Sequence, residues 1–300
     1  MTTSTSLTQQ FGTALRRTTI YDVGGGHPAR WIRTAPDPRQ KFARMDITPP
    51  APLESGSRFV IGGTDPSERS YVLPGATPMV EQLLTDPTTP FNWEDTYSQW
   101  GQLLGTLHAS PAPVEHEAPP ARTRVRRWWN GGDLHSDPWR VESRALFFDE
   151  LNTECVSSLT ELFNDARRDG NTLVHGWAGF GQSVFDRNSE NGIAAILGED
   201  IGVANPEFDL GALLAQSVEL AVFSPPGTMP QPSQCRAALL HGYSATAPRE
   251  PDAGELNASC IENIVRHVAD FTCFAEVDQA EIPRWSHLVN WLETRRNLAE

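Results

Sequence analysis

The sequence is nearly without lysine: Lys41 stands alone among 300 residues, and every other side chain of fixed positive charge is an arginine. Basic residues are also outnumbered, 24 against 38 acidic, for a formal charge of −14. That balance argues against a general nucleic-acid or anionic-membrane binder, since both partners demand positive potential. Cysteine is sparse and scattered. Cys155, Cys235, Cys260 and Cys273 form no C-x-x-C pair, so buried reduced thiols are expected rather than a disulfide framework or a thiolate metal site. No uncharged apolar run reaches membrane-spanning length, and the opening MTTSTSLTQQFGTALRR holds no apolar stretch of the signal-sequence kind. A cytoplasmic protein with no membrane and no nucleic-acid partner is the expectation. The eight histidines form no spaced metal set, and no Walker-type P-loop, G-x-S-x-G or H-E-x-x-H occurs. What is present is the composition of a folded chain, with 39% hydrophobic and only 21% charged residues.

The order of patterns predicts two lobes. Residues 1–14 are polar and rich in Ser and Thr, a mobile tail by composition. From Tyr21 to Arg33, YDVGGGHPARWIR reads as two strands around a glycine turn. That turn is either an ordinary hairpin or a phosphate-covering loop. Prolines crowd the segment from Ala35 to Pro52 and exclude a long helix there. SRFVIGG and RSYVLPG then read as a further strand pair. Residues 15–75 thus make a small β lobe ending in a hinge near Tyr71 to Gly75. Residues 76–300 read as helical, NWEDTYSQWGQLLGTLHAS placing Tyr97, Trp100, Leu103, Leu104 and Leu107 on one face. RALFFDELNTECVSSLTELFNDARRDG reads as one helix ending at Gly170. The helical run is interrupted once, at 173–204, by a strand, a loop and a hairpin. The fold class expected is α+β, bilobal, with a cleft at the hinge.

Three strings in that interruption carry chemistry: LVHGWAGFGQ (173–182), SVFDRNSENGIAAIL (183–197) and ILGEDIGVANPEFDLGALLA (196–215). With YVLPG, WGQLLGTLHAS and ALLHGYSA, they resemble the aminoglycoside phosphotransferase family, which has a protein-kinase-like fold with a small β N-lobe and a large helical C-lobe. The resemblance covers residues 70–250. In that family the loop has the form L-V-H-G-D-x-x-x-x-N, and I-D-W-x-D-A-G-x-G-D-P-x-x-D-L-A follows the hairpin.

The resemblance implies which residues face ATP and magnesium. Phosphoryl transfer needs an Asp to orient the attacking hydroxyl, an Asn and a second Asp to hold magnesium, and a cation on the phosphates. Those three positions fall on Trp177, Gln182 and Leu197. Trp and Leu cannot ligate a hard cation, which takes oxygen ligands. Glu199 and Asp200 are the acids that could hold a metal in their place, or else solvated and structural acids; Asp186 in the hairpin matches a common position. Arg33 or Lys41 stands where a phosphate-binding lysine is expected. Glu54 and Glu68 are poor candidates for its Glu partner, and Tyr71 and Leu73 border the nucleotide. His175 and Asp209 match residues that brace the loop in the family. Beside these, RTRVRRWW sets Arg122, Arg124, Arg126 and Arg127 against Trp128 and Trp129. That cluster is either a grip for an acidic peptide or phosphate, or a solvated helix start with its tryptophans in the core.

Two functions follow. The first is a pseudokinase subunit that binds a peptide or protein partner, with nucleotide binding absent or weak. The second is a divergent phosphotransferase using ATP and magnesium. The altered loop also resembles kinase-like proteins of class V lanthipeptide and thioamide-peptide biosynthesis. That likeness implies a precursor peptide phosphorylated on Ser or Thr and a partner lyase that completes the dehydration.

Overall fold

The computed structural model describes residues 6–22, 27–37, 39, 41–42, 47–63, 65–85, 92–112, 117–132, 137–186, 189, 192–225, 228–275 and 277–296. The turn glycines Gly24 to Gly26 lie outside the described residues.

Four antiparallel strands build the small lobe. They are β1 (Ser6–Gly12), β2 (Arg17–Asp22), β3 (Ala29–Thr34) and β5 (Glu68–Leu73), side by side in the order β1-β2-β3-β5. Strand β1 corrects the expectation of a tail through residue 14. A polar edge strand has little hydrophobic signal, because one ladder of backbone hydrogen bonds, here with Arg17–Asp22, is enough to order it. Period-two alternation turns Thr18 and Ile20, Ala29, Trp31 and Arg33, and Arg69, Tyr71 and Leu73 to one face. No helix occurs among the described residues between β3 and β4 (Arg58–Ile61).

Strand β4 does not pair with β5 as expected. It runs parallel to β8 (Ile193–Leu197), which is antiparallel to β7 (Ser183–Phe185). The chain thereby lays a strand from the first half onto the hairpin of the second. Leucine, isoleucine and alanine fill β8, and all five of its side chains are buried, the pattern of a strand covered on both faces.

The rest is helical: α1 (Met79–Thr85), α2 (Trp93–His108), α3 (Pro120–Trp129), α4 (Pro138–Asp149), α5 (Thr153–Asn164), α6 (Glu207–Phe223), α7 (Pro232–Ser244), α8 (Ala253–Phe274) and α9 (Ile282–Arg296). Short strands β6 (Thr172–Val174) and β9 (Gly202–Ala204) pair antiparallel and bracket the loop and hairpin. The single helix expected up to Gly170 is two helices and a 3-10 turn. Asn152 interrupts it by accepting the Cys155 N–H at 2.7 Å as an N-cap, a local bond that competes with continuing the helix. No described helix is long and apolar enough to cross a membrane.

Candidate functional site

The loop after β6 is shaped by one carboxylate. Asp209, in the first turn of α6 and fully buried, accepts the backbone N–H of His175 at 2.5 Å and of Gly176 at 2.9 Å. His108 Nε2 donates to it at 3.1 Å, and the Tyr243 hydroxyl completes the chain on His108 Nδ1 at 3.0 Å. Gly176 has φ +82°, and a Cβ there would collide with the Asp200 carbonyl, so only glycine fits. His175 donates Nε2–H to the Ile196 carbonyl at 2.7 Å and accepts the Trp177 N–H on Nδ1 at 3.2 Å. That pairing assigns the neutral Nε2–H tautomer. Burial pulls its pKa below the usual histidine range, against the pull of Asp209. His175 is a strut between loop and hairpin.

Beyond the loop lies the seam between the lobes, and its charges are arginine on carboxylate. Arg33, inward on β3, donates Nη1–H to Glu199 at 3.0 Å and also to Gln182, and Nη2–H to the Gly181 carbonyl at 3.0 Å. Glu199 and Arg33 are both buried. Tyr71 lies beside Glu199, and burial with that neighbouring charge pushes its phenol well above the usual range. Arg69 donates to the Gly198 carbonyl at 2.6 Å. On the helical side Arg124 donates Nη1–H to Asp200 at 2.8 Å and Nε–H to Asp270 at 3.2 Å, while Arg16 Nη2 stands 3.9 Å from Asp200. Burial opposes ionisation of Asp200, yet Arg124 and Arg16 outweigh it and hold the carboxyl below its ordinary range. Lys41 is exposed.

Between sheet and hairpin the cleft is packed with side chains. Ile20, Ala29, Trp31, Tyr71 and Leu73 meet Val184, Ala194 and Ile196, each at most 1% exposed. The Trp31 indole donates to the Gly75 carbonyl at 3.0 Å, so the hinge backbone is already bonded. Leu197, which the resemblance set at a metal-binding Asp, is fully buried in the main core. Trp177, which the resemblance set at a catalytic Asp, lies under two guanidinium groups, Arg124 and Arg266, each 5.6 Å from its ring.

The arginine-rich helix α3 faces inward. Arg122 is 1% exposed and donates to Glu262 at 2.9 Å. Arg168 takes the other Glu262 oxygen at 2.7 Å, and Arg126 pairs with Asp169 at 2.7 Å. Trp128 is buried, and of the four arginines Arg127 alone is exposed. Trp128 and Trp129 pack in the core as the second reading expected, but the helix start is not solvated: Arg122, Arg124 and Arg126 pair with acids of the same chain. Asp186 is likewise buried on Arg58.

Sequence reasoning missed Trp31, Arg16, Arg69, Asp270 and Arg266. Trp31 was within reach, since it precedes Arg33 by two residues on a strand and must share its face. The others are single arginines and an acid brought together by packing, with no spacing that marks them.

No protein-family model matches the chain, and no curated protein matches it in sequence. Solved structures do. A spectinomycin phosphotransferase, seen with ADP and spectinomycin, matches at 14% identity over 96% of this chain and 92% of its own, with a TM-score of 0.50. Choline kinase from Cryptosporidium parvum matches at 10% identity over 98% and 89%, TM-score 0.50. An ethanolamine kinase of Plasmodium vivax matches at 9% identity over 98% and 83%, TM-score 0.54. The likeness is one of fold.

Proposed function

We propose that this chain, which has the bilobal α+β protein-kinase-like fold shared by aminoglycoside phosphotransferases and choline and ethanolamine kinases, acts by binding a peptide or protein partner rather than by transferring phosphate. The carrying observation is the fate of the two candidate metal acids. Glu199 is engaged by Arg33 at 3.0 Å and Asp200 by Arg124 at 2.8 Å. Each acid keeps one oxygen without a hydrogen-bond partner, Glu199 Oε1 and Asp200 Oδ2. Magnesium needs several converging oxygen ligands, however, and no cluster of three among the described residues supplies them. Arginine already supplies the opposing charge. The donor set therefore does not fit a magnesium nucleotide: Trp177 and Leu197 offer no oxygen, and Gln182 accepts from Arg33. The packed contact of Trp31 and Tyr71 with Ala194 and Ile196 argues the same way for the base of a nucleotide. The altered loop's resemblance to kinase-like proteins of ribosomal-peptide modification makes a precursor peptide, with a lyase, the partner we favour.

Calorimetry with ATP, with and without magnesium, tests the reading. The unaltered protein and Asp200→Ala should both give no binding heat at about millimolar nucleotide, a Kd of about 1 mM being worth only about 4 kcal/mol. Magnesium-dependent binding that Asp200→Ala abolishes would overturn it in favour of a phosphotransferase with a relocated metal site.

A further inference from the structure

A second cavity, of about 490 Å³, opens on the other flank of the loop, bounded by α1, Trp177, α6, α8 and α9. That volume lies within the range of small-molecule sites, roughly 300–1,000 Å³. Its walls are largely apolar, with Trp177, Phe223, Phe271 and Trp285 among them. Phe223 and Trp285 stack with ring centroids 4.4 Å apart, and Phe271 lies 4.4 Å from His267.

Three polar groups in this wall are unfinished. Arg266 is 94% buried, at 6% exposed, and its Nε and Nη1 have no hydrogen-bond partner. Its guanidinium stands over the face of Trp177, and Asp270, Asp200 and Glu219 lie near enough to favour its charge. Glu219, 8% exposed, spends Oε2 on His267 Nδ1 at 2.9 Å and leaves Oε1 without a partner. Asn263, 1% exposed, donates its amide to the Phe208 and Ser259 carbonyls and leaves Oδ1 without a partner. A buried guanidinium with N–H groups left unpaired is costly, and so is a buried acceptor without a donor. Their concentration at one aromatic cavity describes the complement of a ligand: an anion, an adjacent N–H donor and a large apolar group. The Glu219 carboxylate opposes any anion here, a phosphate dianion more than a singly charged carboxylate.

We propose that this pocket binds a large apolar residue bearing a free carboxylate. The carboxylate sits on Arg266, the adjacent N–H on Glu219 Oε1 and Asn263 Oδ1, and the side chain among Phe223, Phe271 and Trp285. Two molecules present that chemistry: a free aromatic amino acid and the C-terminal residue of a peptide. The proposal goes beyond the pseudokinase reading and does not rest on it, since no group in the pocket depends on whether nucleotide enters the cleft. In this assignment the tryptophan that replaced an expected catalytic Asp is a wall of the ligand site.

The test is calorimetric titration of the full chain, without nucleotide, with L-phenylalanine, N-acetyl-L-phenylalanine and N-acetyl-L-phenylalanine amide. At least one acid should bind with a Kd of about 1 mM or tighter, and the amide at least about tenfold more weakly than the matching acid. Binding of the acetylated acid alone assigns a peptide C-terminus, and binding of the free amino acid alone a free metabolite. Arg266→Met should remove the preference for acid over amide. Failure of both acids to bind at about 10 mM, or an amide that binds as well as its acid, overturns the proposal. The acid and amide comparison on the unaltered protein decides the matter even where the variant does not fold.

Discussion

Arginine does at this seam what a metal ion does in a magnesium-dependent site: it places positive charge against buried carboxylates. Arg33 and Arg124 are suited to it, because a guanidinium stays ionised when buried and offers donors in several directions. Asp200 and Asp270 raise the pKa of Arg124 further, although burial alone would lower it. The same economy governs the loop, where Asp209 alone satisfies two backbone N–H groups and His108. Asp209→Ala would leave those donors buried and unpaired, at a cost of about 3 kcal/mol or more. Urea unfolding should show this as a lower midpoint with an unchanged m-value. A loss under about 1 kcal/mol would mean that the loop holds its shape by other contacts.

Helices here pack as closely as their glycines permit. In the α2–α7 contact, a Cβ on Gly101 would strike the Leu239 carbonyl, and one on Gly242 the Ser98 carbonyl. Backbone cannot yield as a side chain can, so Gly242→Ala should destabilise by about 2 kcal/mol through helix displacement. A thermal unfolding comparison checks it, and a neutral substitution would show that the helices have slack. Element boundaries show how far the sequence could be read. Periodicity was enough for α2, whose Tyr97, Trp100, Leu103, Leu104 and Leu107 are all buried. It missed β1 and the break at Asn152, because an edge pairing and a cap are each decided by one or two hydrogen bonds that leave no period.

The two lobes are joined by charge as well as by packing, and charge makes the junction sensitive to acid. His175, buried and neutral, has a folded pKa below its ordinary 6.5, so its protonation favours the unfolded chain. Asp200, held down by Arg124 and Arg16, and Glu262, held down by Arg122 and Arg168, lie below their ordinary 3.8 and 4.5 despite burial. Groups depressed in the folded state contribute fully above the unfolded value and lose that contribution as pH falls toward the folded one. Stability should therefore begin to decline as pH drops below about 6.5 and fall more steeply below about 4.5. Tm measured across that range tests it, with Asp200→Asn expected to flatten part of the lowest segment. A Tm that holds constant between pH 6.5 and 4.5 would contradict the buried neutral His175.

By itself the sequence determined the two-lobed α+β architecture and the loop and hairpin between helices. These are local matters of period, turn residues and residue identity along a continuous stretch. Which charges meet was decided only by the tertiary structure. Arg33 reaches Glu199 across 166 positions and Arg124 reaches Asp200 across 76, distances over which no pattern in the chain can pair one arginine with one acid. The packing of Trp31 into the cleft and the placing of Arg266 over Trp177 are of the same kind. Burial removes the water that would otherwise satisfy each group, and burial is a property of the fold.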